Sequence, residues 1–381
     1  MRRLVKGLTT LLTLTGIPYL AYVVFYWVLK PSGSPANKDL NSQPSVSIVL
    51  PTYNEADIVE AKLNEIVSLD YPIEKVEVVV VDSSDDETPN LVESYFSNQK
   101  YPSLTLIREN ERRGLATALN DAYAEASNEM IVKTDCDSRI ATNALREAAA
   151  NLADPEIGAV TGRNVEALGG SEVEEGYRNV QAHIQTLESY IDSTFIFHGP
   201  FSAFKQDLIV PIDEDSIADD TELALKIRKG GKRVVFDPQI EYKEAAHSTF
   251  QKRRKQKDRR AMGLIRLLWR QRGMLGRYGR YGRVVLPFNW WFMIISPWLV
   301  LGTLSLATLG GLAVSGPLGL LVPALVGGFV HLGSREKLGK FQAAYSLFDT
   351  QISLFVASLK LLGGKGDGMW EIDKELREVY D

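Results

Sequence analysis

One cysteine, Cys136, occurs in a chain of 381 residues. That excludes a disulfide framework and a cysteine-ligated metal centre, and it fits a reducing compartment. No Walker-type loop and no G-x-G-x-x-G loop is present, so any handling of phosphate must rest on other groups. Internal repeats and low-complexity tracts are also missing. Neither sign of charge dominates, with 43 basic against 48 acidic residues and a formal net charge of -5, and nothing in that balance calls for nucleic acid as a partner. The mean hydropathy of -0.09 conceals an uneven distribution, because charge vanishes from two long stretches and crowds elsewhere.

The first charge-free stretch runs from Gly7 to Leu29, between Lys6 and Lys30, and is long enough for one tilted transmembrane helix. A secretory signal is the alternative, but the apolar part is too long and no small-x-small cleavage site precedes the polar segment. The second stretch, Val284 to Ser334, is broken by Gly310, Gly311, Ser315, Gly316 and Pro317, and reads as two spans joined by a tight turn. A third apolar segment, Phe341 to Leu362, carries Ser346, Asp349, Thr350, Ser353 and Lys360 at helical spacing. One polar face of that kind predicts a helix in the membrane interface, with a third span packed on the hairpin as the alternative.

Lysine and arginine crowd the chain from Lys252 to Arg283 and recur at Arg335, Lys337 and Lys340. The positive-inside rule makes both flanks cytoplasmic, against the smaller group Arg2, Arg3 and Lys6. Anionic lipid headgroups and phosphates account for that basic run better than nucleic acid does. The expected organisation is a transmembrane helix (1–30), a linker (31–43), an α/β catalytic domain (44–250), basic interfacial helices (251–283), a transmembrane hairpin (284–334) and an interfacial or third membrane helix with a cytoplasmic tail (335–381). The whole is expected to be an integral protein of the cell membrane with its α/β domain in the cytoplasm.

From Val46 onward, short β-branched runs (46–50, 76–81, 104–107, 130–133) alternate with helical segments near 55–68, 89–97, 115–126 and 143–152. Such alternation predicts a parallel α/β sheet, in which ligands sit beyond the carboxyl ends of the strands. Polar clusters stand at three of those ends: Pro51-Thr52-Tyr53-Asn54-Glu55, Asp82-Ser83-Ser84-Asp85-Asp86 and Thr134-Asp135-Cys136-Asp137. Asp135 and Asp137, one residue apart on a turn, can place oxygens on one hard cation, Mn2+ or Mg2+, that also binds the oxygens of a diphosphate. Taken alone an Asp-x-Asp pair is ordinarily a solvated loop or helix cap; its place after a buried strand changes that reading.

On these motifs the chain resembles family 2 glycosyltransferases with the GT-A fold, a Rossmann-like nucleotide-diphospho-sugar transferase domain, over roughly Val46 to Gly263. The resemblance implies that Pro51, Thr52, Tyr53, Glu55 and Asp82 border the donor nucleoside and that Asp135 and Asp137 meet the diphosphate and metal. Two positions depart from the family pattern: the paired aspartates of the second strand are Val81-Asp82, and the lysine after the glycine of the third helix is Leu115. Arg112 and Arg113 can supply the missing positive charge to the diphosphate, or form a solvated basic turn.

The segment from Phe197 to Phe204 looks like the acceptor-side loop of that family, which assigns His198 and Gly199 to the acceptor site. By themselves His198, His183 and His331 read as packed or hydrogen-bonded histidines, whereas His247 can approach the metal. Asp219 and Asp220 open a helix as ordinary acids of a first turn, and Asp220 matches the family's catalytic aspartate, a base for the acceptor hydroxyl, with Asp219 in place of the usual glutamate. Gln256 to Gly263 is similar to the Gln-x-x-Arg-Trp signature of cellulose, chitin and hyaluronan synthases. Gln256 and Arg259 then lie over the donor, and Arg260 takes the position of the acceptor-stacking tryptophan.

The implied activity is inverting transfer of a sugar from a nucleotide-diphosphate sugar, expected to be a UDP-sugar, to a growing glycan. Transfer to a polyprenyl phosphate or other lipid-linked acceptor is the alternative. A noncatalytic membrane scaffold and a nucleotidyltransferase are the rivals from other classes.

Overall fold

A computed structural model describes residues 2–98, 100–168, 172–245 and 250–364. The chain enters through a long helix, α1 (Arg2–Leu29), and its sheet begins at β1 (Val46–Thr52). Then come α2 (Val59–Val67), β2 (Val76–Asp82), α3 (Thr88–Phe96), β3 (Ser103–Arg108), α4 (Leu115–Glu125) and β4 (Met130–Lys133). The four strands are parallel, as the alternation predicts. Val46, Ile48, Val49 and Leu50 of β1, like Val78, Val79 and Val80 of β2, are all fully buried. Near-continuous apolar runs of this kind belong to a sheet covered on both faces. Side chains alternate across it: Ile48, Leu50, Val78 and Val80 pack toward α2 and α3, and Val49, Val79 and Ile131 pack toward α4.

After β4 follow β5 (Ser138–Ile140), α5 (Ala144–Leu152), β6 (Ile157–Leu168), α6 (Glu172–Ile191), β7 (Ser202–Lys205), α7 (Asp219–Lys229) and β8 (Arg233–Ala245). The sheet has eight strands in the order β3-β2-β1-β4-β7-β6-β8-β5. Strand β7 enters antiparallel beside β4, so the sheet is mixed. That second half carries the loop before β7 and the start of α7 to the carboxyl ends of β1, β2 and β4.

Helix α8 (Phe250–Arg270) leads into α9 (Leu286–Trp290), α10 (Ser296–Ser315), α11 (Leu321–Gly333) and α12 (Gln342–Leu362). Two helical segments, Arg2–Leu29 and Tyr281–Gly333, are long and apolar enough to cross a membrane. Glycines of α10 let α1 approach closely in antiparallel fashion, with Gly310 against Leu4 and Gly302 toward Leu11. Where α1 meets α9, Tyr22 stacks on Phe288 at 3.5 Å between centroids. Helix α12 packs Tyr345 and Phe348 against Phe329 of α11, and Phe355 against Trp298 at the start of α10.

The polar face predicted for α12 exists, but it turns to protein. Asp349, nearly buried, receives Arg254 at 2.7 Å and Lys257 at 3.3 Å, and Lys360 pairs with Asp258 at 3.0 Å. Other cations of α8 also meet acids of the same chain: Arg253 with Glu336, Arg260 with Glu244, Arg266 with Asp215, and Arg270 with Asp213 and Asp215. These members of the basic run are thus engaged by acids of the same chain. The acids they meet lie up to 95 residues away in sequence, so composition alone cannot reveal them.

Two buried polar links tie the sheet domain to the apolar helices. Arg228, at the far end of α7, holds Asp192 through both oxygens at 2.9 and 3.0 Å and donates to the Tyr278 carbonyl, while the Tyr281 amide donates to Asp192. The carboxylate of Glu188 on α6 accepts from Asn289 at 2.6 Å, from the Thr194 hydroxyl and from the Phe195 amide. Burial pushes Glu188 up from 4.5 to about 7, against those hydrogen bonds. A carboxyl raised in the folded state costs stability as pH climbs from the unfolded value through the folded one, here about 3 kcal/mol in full above pH 7. Thermal unfolding of Glu188→Gln in detergent is therefore expected to show a melting-temperature difference from the parent that grows more positive between pH 4.5 and pH 8. A difference independent of pH would refute the assignment.

Candidate active site

Thr52 and Asp82 are directly opposite each other at the ends of β1 and β2. The Thr52 and Ser84 hydroxyls donate to one oxygen of buried Asp82 at 2.6 and 2.7 Å, and the Ser84 amide donates to the other at 3.1 Å. Asp82 is thus locked at the floor of the cleft, and Pro51 stands opposite Val81, one step back in the register. Tyr53 turns its ring to the Arg112 guanidinium, 4.0 Å from the ring centroid, a cation–π arrangement. Glu55 is buried behind the same turn, where its amide binds Thr88.

The turn after β4 alternates buried and accessible residues: Thr134, Cys136 and Ser138 are buried, while Asp135 and Asp137 are partly exposed. The two carboxylates therefore leave the same side of the turn. From behind, the fully buried Lys62 ammonium donates to the Ser138 carbonyl at 3.1 Å, and the Glu65 carboxylate takes the Ile140 amide at 2.7 Å. A charged pair hidden on α2 thus fixes the loop.

Asp219 and Asp220 begin α7, where carboxylates complement the helix dipole. Lys133, the last residue of β4, places its ammonium 2.7 Å from Asp135 Oδ1 and 3.4 Å from Asp220 Oδ2. Gly199 closes over the trio, since a Cβ there would lie 2.7 Å from Asp135 Oδ2 and 2.9 Å from Lys133 Nζ. Asp219 Oδ2 and Asp220 Oδ1 are buried without a hydrogen-bond partner. Burial, then the neighbouring Asp219, pushes Asp220 up to about 8, and Lys133 opposes the shift. Burial also raises Asp219. The lysine runs the other way: burial alone would lower it, but Asp135, Asp220 and Asp219 hold it firmly charged.

Arg259 is drawn down from its ordinary value by burial, and lies in the field of Asp219, Asp135 and Arg112. Among the described residues no hydrogen bond or ion pair of its side chain is found, which leaves the guanidinium available to an anion in the cleft. Gln256 lies one turn earlier on α8, partly buried. Arg260 instead pairs with Glu244 of β8. Arg113 is committed to Glu109 at 2.7 Å and to Asp121, so of the two arginines expected to face the diphosphate it is Arg112 that stands beside Tyr53 and Arg259. His198 binds Gln185 at 3.0 Å through Nε2. Burial, then Arg260, takes its pKa down to about 4, so it is a neutral packed histidine in the loop before β7. His247 lies outside the described residues.

Among the described residues no group of three or more histidine, cysteine or acidic side chains could hold a metal ion. Asp135 and Asp137 can contribute carboxylate oxygens to a divalent ion, but they form only part of its coordination sphere. The donor set fits an ion that takes its remaining ligands from water and a diphosphate.

The sheet, the crossing helices and the acids at the strand ends define a GT-A glycosyltransferase. Residues 47–212 match the model of glycosyl transferase family 2, and residues 130–330 match glycosyl transferase family group 2. The chain belongs to glycosyltransferase family 2. It is 28% identical over 216 residues to a poly-beta-1,6-N-acetyl-D-glucosamine synthase of Staphylococcus aureus, covering 52% of this chain and 51% of that protein. The same enzyme of Staphylococcus epidermidis is 27% identical over 237 residues, covering 58% and 55%. The chain thus spans about half the length of the curated relatives it matches. A solved mannosyltransferase of Pyrobaculum calidifontis, in complex with GDP-Man and Mn2+, superposes with a TM-score of 0.79 at 28% identity over 94% of this chain and 99% of that one.

Proposed function

We propose that the protein transfers a hexosyl group, with inversion, from a nucleotide-diphosphate sugar to a growing glycan at the cytoplasmic face of a membrane. The observation that carries the reading is the meeting of Asp135, Lys133 and Asp220 around Gly199. It supports a reading in which the diphosphate binds a few ångströms from the carboxylate that serves as base. The Asp220 carboxylate takes the proton of the acceptor hydroxyl as the hydroxyl oxygen attacks the anomeric carbon, while the bond to the diphosphate breaks on the opposite side. Mn2+ or Mg2+ held by Asp135 and Asp137 would offset charge growing on the departing diphosphate, and Arg259 adds a fixed positive charge there. Tyr53, Asp82 and Arg112 line the nucleoside end, with Gly199, Asp219 and the His198 loop on the acceptor side. Helices α1 and the pair α10–α11 serve as the spans, with α12 at the interface.

The Mn2+ and nucleotide-sugar complex of the Pyrobaculum calidifontis mannosyltransferase supports metal dependence and a nucleotide-sugar donor. The staphylococcal synthases support a polymer product. The second reading is single transfer to a polyprenyl phosphate or other lipid acceptor, and it draws on the full-length likeness to an enzyme called a mannosyltransferase rather than a synthase.

Purified protein with Mn2+ or Mg2+ and a panel of UDP- and GDP-sugars should liberate nucleoside diphosphate, and sizing the product should give a ladder. A single addition would select the lipid reading, and no release from any donor would return the chain to a scaffold. Arg259→Ala is expected to raise the donor KM about ten- to hundred-fold, the worth of one charge-assisted contact. An unchanged KM would remove Arg259 from the donor site.

A further inference from the structure

Lys133 ends a buried strand, where a lysine has little to recommend it unless something holds its charge. Its side chain is 2% exposed, roofed by Gly199 and backed by buried Tyr123, on which Lys133 and Asp220 both exert their fields. A sealed ammonium does not reach substrate, so it acts through the two carboxylates it touches.

We propose that Lys133 is a positioning residue that makes capture of the divalent ion depend on the donor, an inference that rests on reading this cleft as a metal and diphosphate site. Asp135 offers Oδ1 to the ammonium at 2.7 Å, so one of the only two carboxylates on this turn is already neutralised. A free ion approaching the turn meets a fixed like charge, and the described residues supply no third ligand to offset it. An ion arriving with a nucleoside diphosphate brings anionic oxygens of its own, and the ammonium then no longer opposes it. At its other end Lys133 binds Asp220 Oδ2 at 3.4 Å and leaves Oδ1 unpartnered. The same side chain therefore fixes the orientation of the Asp220 carboxylate.

A lysine that merely balanced charge would, on removal, weaken ion binding and stability together. The proposal gives the opposite sign for the ion. Full-length protein in detergent, titrated with Mn2+ and followed by the electron paramagnetic resonance of the free ion, should bind it at least about ten-fold more tightly with UDP or GDP present, within the usual range of coupling between two ligands. In Lys133→Met, and in Lys133→Gln as a second form, affinity for Mn2+ without nucleotide should rise about five-fold or more, and the enhancement by nucleotide should shrink. Turnover at saturating donor should fall about a hundred-fold while the donor KM moves little.

Mn2+ binding in the parent that is equally tight with and without nucleotide overturns the proposal, whether or not either variant folds. So does no Mn2+ binding under either condition, or folded variants whose nucleotide-free affinity is unchanged or weaker. Failure of every sugar donor would overturn the transferase reading, and the Mn2+ titrations would still judge Lys133.

Discussion

Asp220→Asn is expected to cut turnover by about a hundred- to ten-thousand-fold, the usual contribution of a positioned base, and to leave affinity for the nucleotide sugar nearly intact. The amide has the carboxylate's shape and can still present an oxygen to Lys133, so the fold and the donor cleft should survive. What disappears is the capacity of the carboxylate to take a proton. Asp137→Ala should behave differently. It deletes one of two oxygen donors for the ion, so turnover and donor affinity are lost together. Nucleotide-sugar binding by calorimetry beside single-turnover rates separates the two, and equal loss of affinity in both variants would refute the division of roles.

Gly199→Ala is expected to lower turnover about a hundred-fold, the scale on which a misplacement of roughly 1 Å is felt in catalysis. One added methyl would sit 2.7 Å from Asp135 Oδ2, 2.9 Å from Lys133 Nζ and 3.3 Å from Asp220 Oδ2. The obstructing atoms are side-chain ends, which normally yield at small cost. Here they are held by one another, so yielding means separating the ion's carboxylate from the base. The melting temperature should fall by only a few degrees, since the core beneath the loop is untouched. A variant with parental kcat would show that the trio has slack.

Much of this arrangement was legible in sequence. Strands β1, β2 and β4 announce themselves through apolar runs, because each is buried on both faces, whereas β3 lies half-exposed at the sheet edge; the polar clusters after β1, β2 and β4 mark the cleft. The family resemblance and the GT-A fold both hold. What sequence reasoning missed depends on partners distant along the chain. Lys133 reads as the polar end of a strand until Asp220, 87 residues later, is seen to meet it. Likewise Lys62 looks like a surface lysine of an amphipathic helix, and only the fold shows its ammonium under the turn that carries Asp135 and Asp137. Arg112 and Arg113 are indistinguishable by composition; Glu109 and Asp121 claim one, and Tyr53 faces the other. The one signal that could have been used was the lysine two residues before the Asp-x-Asp turn, since a cation in a strand buried on both faces demands nearby anions.

The Arg228–Asp192 clasp has a consequence for how acceptor and enzyme find each other. The helix that begins with Asp220 ends in a guanidinium gripped at the point where the chain turns toward its apolar segments. The cleft is thus bolted to those segments rather than swinging on the leader between α1 and β1. With the proposed membrane placement, its height and tilt above the bilayer become constants of the molecule, like a tool in a fixed mount, so a growing chain end or lipid phosphate has to be delivered to that one elevation.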